Sequence, residues 1–248
     1  MGRLSIGLGL LLAVGCSAPT ARPLEIFVAS SMGRVVGELI HAFEEQHEGL
    51  AFRLNVAGSQ VLRMQIEQGA VADVYISANP AHADALHRSG ELETPRVIAH
   101  NHLALIQLSG NRPLLTWATL GRAKSLVIGS PEVPIGAYTD ALFQRARKRF
   151  GDHYKPGLAV VSREENVGIL RAKVLLGAAG AAVVYRSDAL GFKELLSLPL
   201  PKELDAKTRC VAAELTGSNH SQAATFIGFL SSEKALLIFQ AHGFELPQ

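Results

Sequence analysis

Cysteine is scarce in this chain: only Cys16 and Cys210 occur in 248 residues. Cys16 falls in an N-terminal segment that reads as a leader, so no intrachain disulfide is expected and stability must come from packing. The same scarcity leaves no zinc framework. None of the nine histidines forms a pair with convincing ligand spacing: His82 and His87 lie five apart on an expected helix, and His100 and His102 flank a strand start. Blocks of one charge are missing too. With 19% charged residues and a formal net charge of +2, the chain has no basic stretch to grip nucleic acid and no acidic tail. It contains no repeat or low-complexity segment. No apolar run reaches the roughly twenty residues that a bilayer span requires. The stretch from Leu4 to Gly15, behind the basic Arg3, is too short for a permanent span and fits a secretory signal.

That segment ends in Leu12-Ala13-Val14-Gly15-Cys16, which resembles a bacterial lipobox, where the cysteine becomes the lipidated N-terminus after cleavage. Residues 1–23 are therefore expected to be a signal and short tether, with lipidation at Cys16 and an exported mature protein. The alternative is release of a soluble form after the small residues through Ala21.

What is present, from Leu24 onward, is an alternation of strand-like and helix-like segments. Expected strands are Glu25–Ala29, Ala51–Val56, Val74–Ser77, Leu103–Leu108, Ser125–Gly129, Leu158–Val161, Ala181–Tyr185 and Thr208–Glu214. Between them run stretches of helical spacing such as Val35, Val36, Leu39, Ile40 and Phe43. The pattern predicts an α/β fold with largely parallel sheets flanked by helices. Pro113, the Pro131–Pro134 turn, Pro156-Gly157 and Pro199–Pro201 punctuate the chain without splitting it at a single linker. Two discontinuous lobes reconcile these features. The first takes residues 24–101 plus 208–248, and the second takes 102–207, with hinges around His100–Leu103 and Lys202–Thr208.

Small and hydroxyl residues mark the places where strand-like runs give way to helix-like ones: Ser30-Ser31, Gly58-Ser59, Ile135-Gly136 and Asn166-Val167. Ligands of open α/β sheets bind beyond the carboxyl ends of strands. A helix N-terminus carries unpaired N–H groups and the positive end of its dipole, so converging N-termini can bind an anion without any cationic side chain. Each serine alone reads equally as a helix cap. Tyr185, ending an apolar strand, offers a phenol donor or simply packs there.

The ordered set Ala29-Ser30-Ser31-Met32, Val56-Ala57-Gly58-Ser59, Gln65 through Asn79, Pro131 through Tyr138, Glu165-Asn166-Val167, Val184 through Ala189 and Phe239 through Phe244 resembles the periplasmic molybdate-binding proteins of ABC importers. The resemblance spans essentially the whole mature chain. It implies the two-lobe architecture of periplasmic binding proteins, with a ligand cleft between the lobes. It also implies an oxyanion ligand, molybdate or tungstate, held without counter-charges by the hydroxyls of Ser31, Ser59 and Tyr185 and by the backbone N–H groups of Ile135 and Val167. The family usually has alanine at the position of Ile135; a backbone donor tolerates the change. The resemblance further implies a monomer in the periplasm or cell envelope, an ABC permease with its ATPase as partner, and no cofactor, metal cation site or covalent chemistry.

A fully ionised tetrahedral dianion offers only acceptors and suits such a pocket, whereas hydrogen phosphate carries a proton that needs one. Sulfate has the same charge and must be told apart by size, so a sulfate-binding protein is one alternative and a non-transport envelope lipoprotein is another. An enzyme finds little support. Ser231-Ser232-Glu233-Lys234 matches Ser-x-x-Lys, but at the start of the last amphipathic helix it reads as a cap with a solvent-facing lysine. Gly58-Ser59 lacks the closing glycine of a nucleophile elbow, because Val61 stands there.

Overall fold

The computed structural model describes residues 22–47, 49–110, 114–204 and 207–247. The expected signal stretch Leu4–Gly15, the expected lipidation at Cys16 and Pro113 lie outside the described residues. Among the described residues, ten strands form two five-stranded sheets. The first has the order β2 (Phe52–Ala57), β1 (Leu24–Ala29), β3 (Val74–Ser77), β10 (Thr208–Glu214), β4 (Arg96–Asn101). The second has the order β7 (Val160–Glu164), β6 (Leu126–Gly129), β8 (Ala181–Tyr185), β5 (Leu103–Leu108), β9 (Leu195–Pro199). The chain passes to the second sheet between Asn101 and Leu103 and returns between Pro199 and Thr208.

Alternation along the strands builds the first core. In β1, Leu24, Ile26 and Val28 pack on one face of the sheet with α1 (Gly33–Glu44), α7 (Ala223–Phe229) and α8 (Glu233–Ala241). Phe27 faces the other side, towards α2 (Ser59–Glu67) and α3 (Pro80–Arg88). A strand buried on both faces needs apolar residues at nearly every position, which is why LEIFVA reads as a continuous run. Helix α1 supplies Val35, Val36, Leu39, Ile40 and Phe43, spaced by three and four so that one stripe is buried. The second core gathers Leu105, Ile106, Val127 and Val183 from the strands. Leu142 comes from α4 (Pro134–Phe150), and Leu170 from α5 (Val167–Leu175).

Two expectations need correction. The sheets are mixed rather than largely parallel: β1 pairs in parallel with β2 and β3, and β6 with β7 and β8. By contrast β10 runs antiparallel to β3 and β4, and β5 to β8 and β9. The reversed strands are those that follow the two crossings. The expected strand Leu158–Val161 begins only at Val160. Pro156 opens a 3-10 turn over Pro156–Ala159, leaving Leu158 83% exposed.

Candidate functional site

The carboxyl ends of β1, β2, β3, β6, β7 and β8 converge on a small cavity between the two sheets. Ser31, Ser59, Ile135, Val167 and Tyr185 all line it. Glu165 alone among the lining residues carries a formal charge; it is exposed, and its backbone carbonyl accepts a hydrogen bond from Gln60.

Ser59 opens α2, and Gly58 before it provides no side-chain cap. The serine is 1% exposed. Its Oγ accepts from the Ala78 N–H at 3.2 Å, and its carbonyl accepts from the Tyr75 hydroxyl at 2.8 Å. A hydroxyl has one proton to give. With Oγ already engaged as an acceptor from Ala78, that proton is free for the cavity. Ser31 sits in the turn between β1 and α1, half-buried, fixed by the Met32 N–H on the Ala29 carbonyl at 2.8 Å and the Ser30 N–H on the Ala57 carbonyl at 2.9 Å.

Helix α4 reaches the cavity with Pro134 as its first residue and Val133 as an N-cap without a side-chain acceptor. Proline has no N–H, so Ile135 carries the first backbone donor of this helix. A close approach explains both glycines of Gly129-Ser130-Pro131-Glu132-Val133-Pro134-Ile135-Gly136. A Cβ on Gly136 would lie 1.9 Å from the Ser130 carbonyl oxygen, and one on Gly129 would lie 2.6 Å from the Gly136 nitrogen. Helix α5 starts at Val167 behind Asn166, whose side chain caps the Ile169 N–H at 3.1 Å. That cap leaves the Val167 N–H without a helical acceptor.

Tyr185 is 2% exposed, and its hydroxyl has no protein partner. Burial pushes its pKa well above 10, helped by Tyr138, Cys210 and Asp188 nearby, so the phenol remains a neutral donor. An unpaired buried hydroxyl is costly, and here it borders the cavity. Just beyond, Asp188 is 5% exposed, with Oδ1 at 3.3 Å from Arg171 Nη1 and Oδ2 without a partner. Burial raises its pKa to about 7, against the pull of Arg171, Arg34 and the Tyr185 backbone N–H.

Several contributors have no role in the sequence reading. Tyr75 and Ala78 hold Ser59 from β3 and the turn after it, and only the fold brings them there. Arg34 donates to the Leu190 carbonyl at 2.9 Å, and Gln60 to the Glu165 carbonyl at 3.2 Å, both across the cleft. Elsewhere Ser232, rather than Ser231, caps α8 through the Ala235 N–H, and Lys234 pairs with Glu45. The histidines His82 and His87 are not brought together as ligands: His87 binds the Leu92 carbonyl, and burial lowers His82 to about 4.

The cavity therefore gathers helix starts, the serines Ser30, Ser31 and Ser59 and a buried phenol, with no cationic side chain among its described lining residues. Such an arrangement can desolvate and hold an anion through hydrogen bonds alone.

A family model described as bacterial extracellular solute-binding protein matches residues 24–245. The molybdate-binding protein ModA of Mycobacterium tuberculosis is 28% identical over 251 residues, covering 96% of this chain and 93% of that protein. Two solved structures share the fold. The periplasmic molybdate-binding protein of Azotobacter vinelandii has a TM-score of 0.79 at 20% identity, covering 91% of this chain and 100% of its own. The sulfate-binding protein SubI of M. tuberculosis has a TM-score of 0.77 at 17% identity, covering 91% and 87%.

Proposed function

The chain belongs to the bacterial extracellular solute-binding protein family, and from that premise we propose that its solute is molybdate, with tungstate as a second ligand, delivered to an ABC permease driven by its ATPase. The observation that carries the reading is the Tyr185 hydroxyl, buried, kept protonated and unpartnered at the cavity shared with Ser59 and the starts of α4 and α5. The likeness to ModA supports the choice of oxyanion. Ser31, Ser59 and Tyr185 donate through hydroxyls, and Ile135 and Val167 through the backbone.

A ligand held by dipoles spares the lobes the cost of desolvating separate cations on closure. Residues 24–101 plus 208–248 and residues 102–207 move as two lobes about the crossings near His100–Leu103 and Lys202–Thr208. The closed form then reports occupancy to the permease. The protein acts as a monomer, tethered through lipid at Cys16, and performs no covalent chemistry.

Isothermal titration of the mature protein with molybdate, tungstate, sulfate and phosphate in one buffer tests the reading. Saturable binding of the first two with little of the others is expected. Preference for sulfate would reassign the solute, and silence with all four would refute oxyanion capture. The Ser31→Ala, Ser59→Ala double variant should weaken molybdate binding by at least about a hundredfold, as two hydrogen bonds to a charged acceptor are lost.

A further inference from the structure

Two hydrogen bonds span the mouth of the cleft, and they share a design. Arg34, in the first turn of α1 and three residues past Ser31, sends Nη1 to the Leu190 carbonyl at 2.9 Å. Gln60, next to Ser59 in α2, sends Nε2 to the Glu165 carbonyl at 3.2 Å. Each donor sits in the first turn of a helix, close in sequence to a candidate serine. Each acceptor lies in the second lobe, Glu165 two residues before Val167 and Leu190 five after Tyr185. The loops that face the solute are thus also joined directly to each other.

The Arg34 contact has further support. Gly191, at φ +85°, turns the chain beneath the guanidinium, and a Cβ there would stand 3.4 Å from Nη1. Once ionised, above about pH 7, the Asp188 carboxylate attracts the same arginine. Arg34 does not line that cavity; it lines a neighbouring cleft with Arg171 and Asp188. Near the crossings other bonds join the lobes. Asn101 Nδ2 donates to Ser187 Oγ at 2.8 Å, and Arg186 Nη2 to the Gly243 carbonyl at 2.7 Å.

We propose that Arg34 is a positioning residue that latches the closed form: it sets how long a captured solute is retained without touching it, with Gln60 as the weaker second latch. The proposal rests on the solute-binding reading but not on the identity of the solute. Opening the mouth must break the Arg34 bond, so the bond slows release. A closed ligand-free form must open before it binds, so the same bond cannot speed capture. Because both latches end on backbone carbonyls rather than on the ligand, they bear equally on every oxyanion.

The test compares wild type, Arg34→Gln, Arg34→Lys and Gln60→Ala by stopped-flow molybdate binding and by X-ray scattering of the ligand-free proteins, with circular dichroism to verify folding. Arg34→Gln should raise koff about threefold to tenfold, as the loss of one ordinary, solvent-exposed hydrogen bond would. Its kon should be unchanged or faster, the ratio of molybdate to tungstate affinities should hold, and the ligand-free radius of gyration should increase. Arg34→Lys should recover part of the retention, and Gln60→Ala should act in the same direction by a smaller factor. A koff within twofold of wild type in Arg34→Gln, or a loss arising in kon, overturns the latch. If wild type binds no molybdate, that reading fails by itself. Scattering then decides the latch: a ligand-free radius unchanged by Arg34→Gln overturns it, and an increased one supports it.

Discussion

Replacing Tyr185 by phenylalanine separates what the site needs from what the fold needs. The ring is packed in the second core and 2% exposed, and the substitution retains it. Only the hydroxyl goes, and in the protein alone that hydroxyl has no partner. Its removal should therefore cost the ligand-free protein nothing, and relief of an imperfectly solvated buried donor should raise stability by up to about 1 kcal/mol. For a chain of this size, that is a rise in Tm of about 2–4 °C. The complex should respond in the opposite sense. A neutral donor facing a dianion makes a charge-assisted bond of about 1.5–3 kcal/mol, so molybdate affinity should fall by about tenfold to a hundredfold. Thermal unfolding without ligand and titration calorimetry with molybdate read the two effects on one preparation. A variant that binds molybdate as tightly as wild type would remove Tyr185 from the site. One that loses about 2 kcal/mol or more without ligand would show that the hydroxyl is structural and that its exposure to the cavity is incidental.

Gly136→Ala should weaken both fold and binding, since its Cβ would meet the Ser130 carbonyl at 1.9 Å and drive the start of α4 away from β6; a cost of about 2 kcal/mol or more is expected in denaturant melts, and unchanged affinity would count against the Ile135 donor. Asp188 should make stability fall between about pH 4 and pH 7. Its carboxyl keeps its proton to about pH 7 when folded, against an ordinary 3.8, so the folded form binds the extra proton in that window. The loss is complete above it and amounts to at most about 4 kcal/mol. Denaturant titrations of Asp188→Asn at pH 5 and pH 8 should show that slope reduced, and identical slopes in both proteins would refute the assignment. The Cys210 thiol, buried and pushed up to about 12 chiefly by burial, should resist thiol reagents until the protein unfolds, which a timed labelling experiment with and without denaturant reads directly.

The sequence made some elements plain and hid others for physical reasons. Strands β3, β5, β8 and β10 carry apolar runs bounded by turn residues, and their limits match Val74–Ser77, Leu103–Leu108, Ala181–Tyr185 and Thr208–Glu214. The expectation missed β4 and β9, the outermost strands beyond β10 and β5. Arg96-Val97-Ile98-Ala99-His100-Asn101 mixes exposed charge with short apolar positions, and β9 ends in Pro199, as edge strands often do. In the site, the serines and Tyr185 stand out because hydroxyls follow apolar runs. The Tyr75 bond to Ser59 and the Arg34 bond to Leu190 span 16 and 156 residues. Neither has a local signature.

The position of β10 has a consequence for how the molecule comes into being. The strand is not added at an edge: it lies between β3 and β4, and β4 pairs with no other strand in the sheet. A chain that emerges N-terminus first has β1, β2 and β3 ready to pair in parallel, but β4 must wait for residues 208–214, more than a hundred positions later. The second sheet, drawn entirely from residues 103–199, meets no such delay. Closing so long a loop is slow. The second lobe is therefore the part able to fold first, and the first lobe is completed around a strand that arrives almost last.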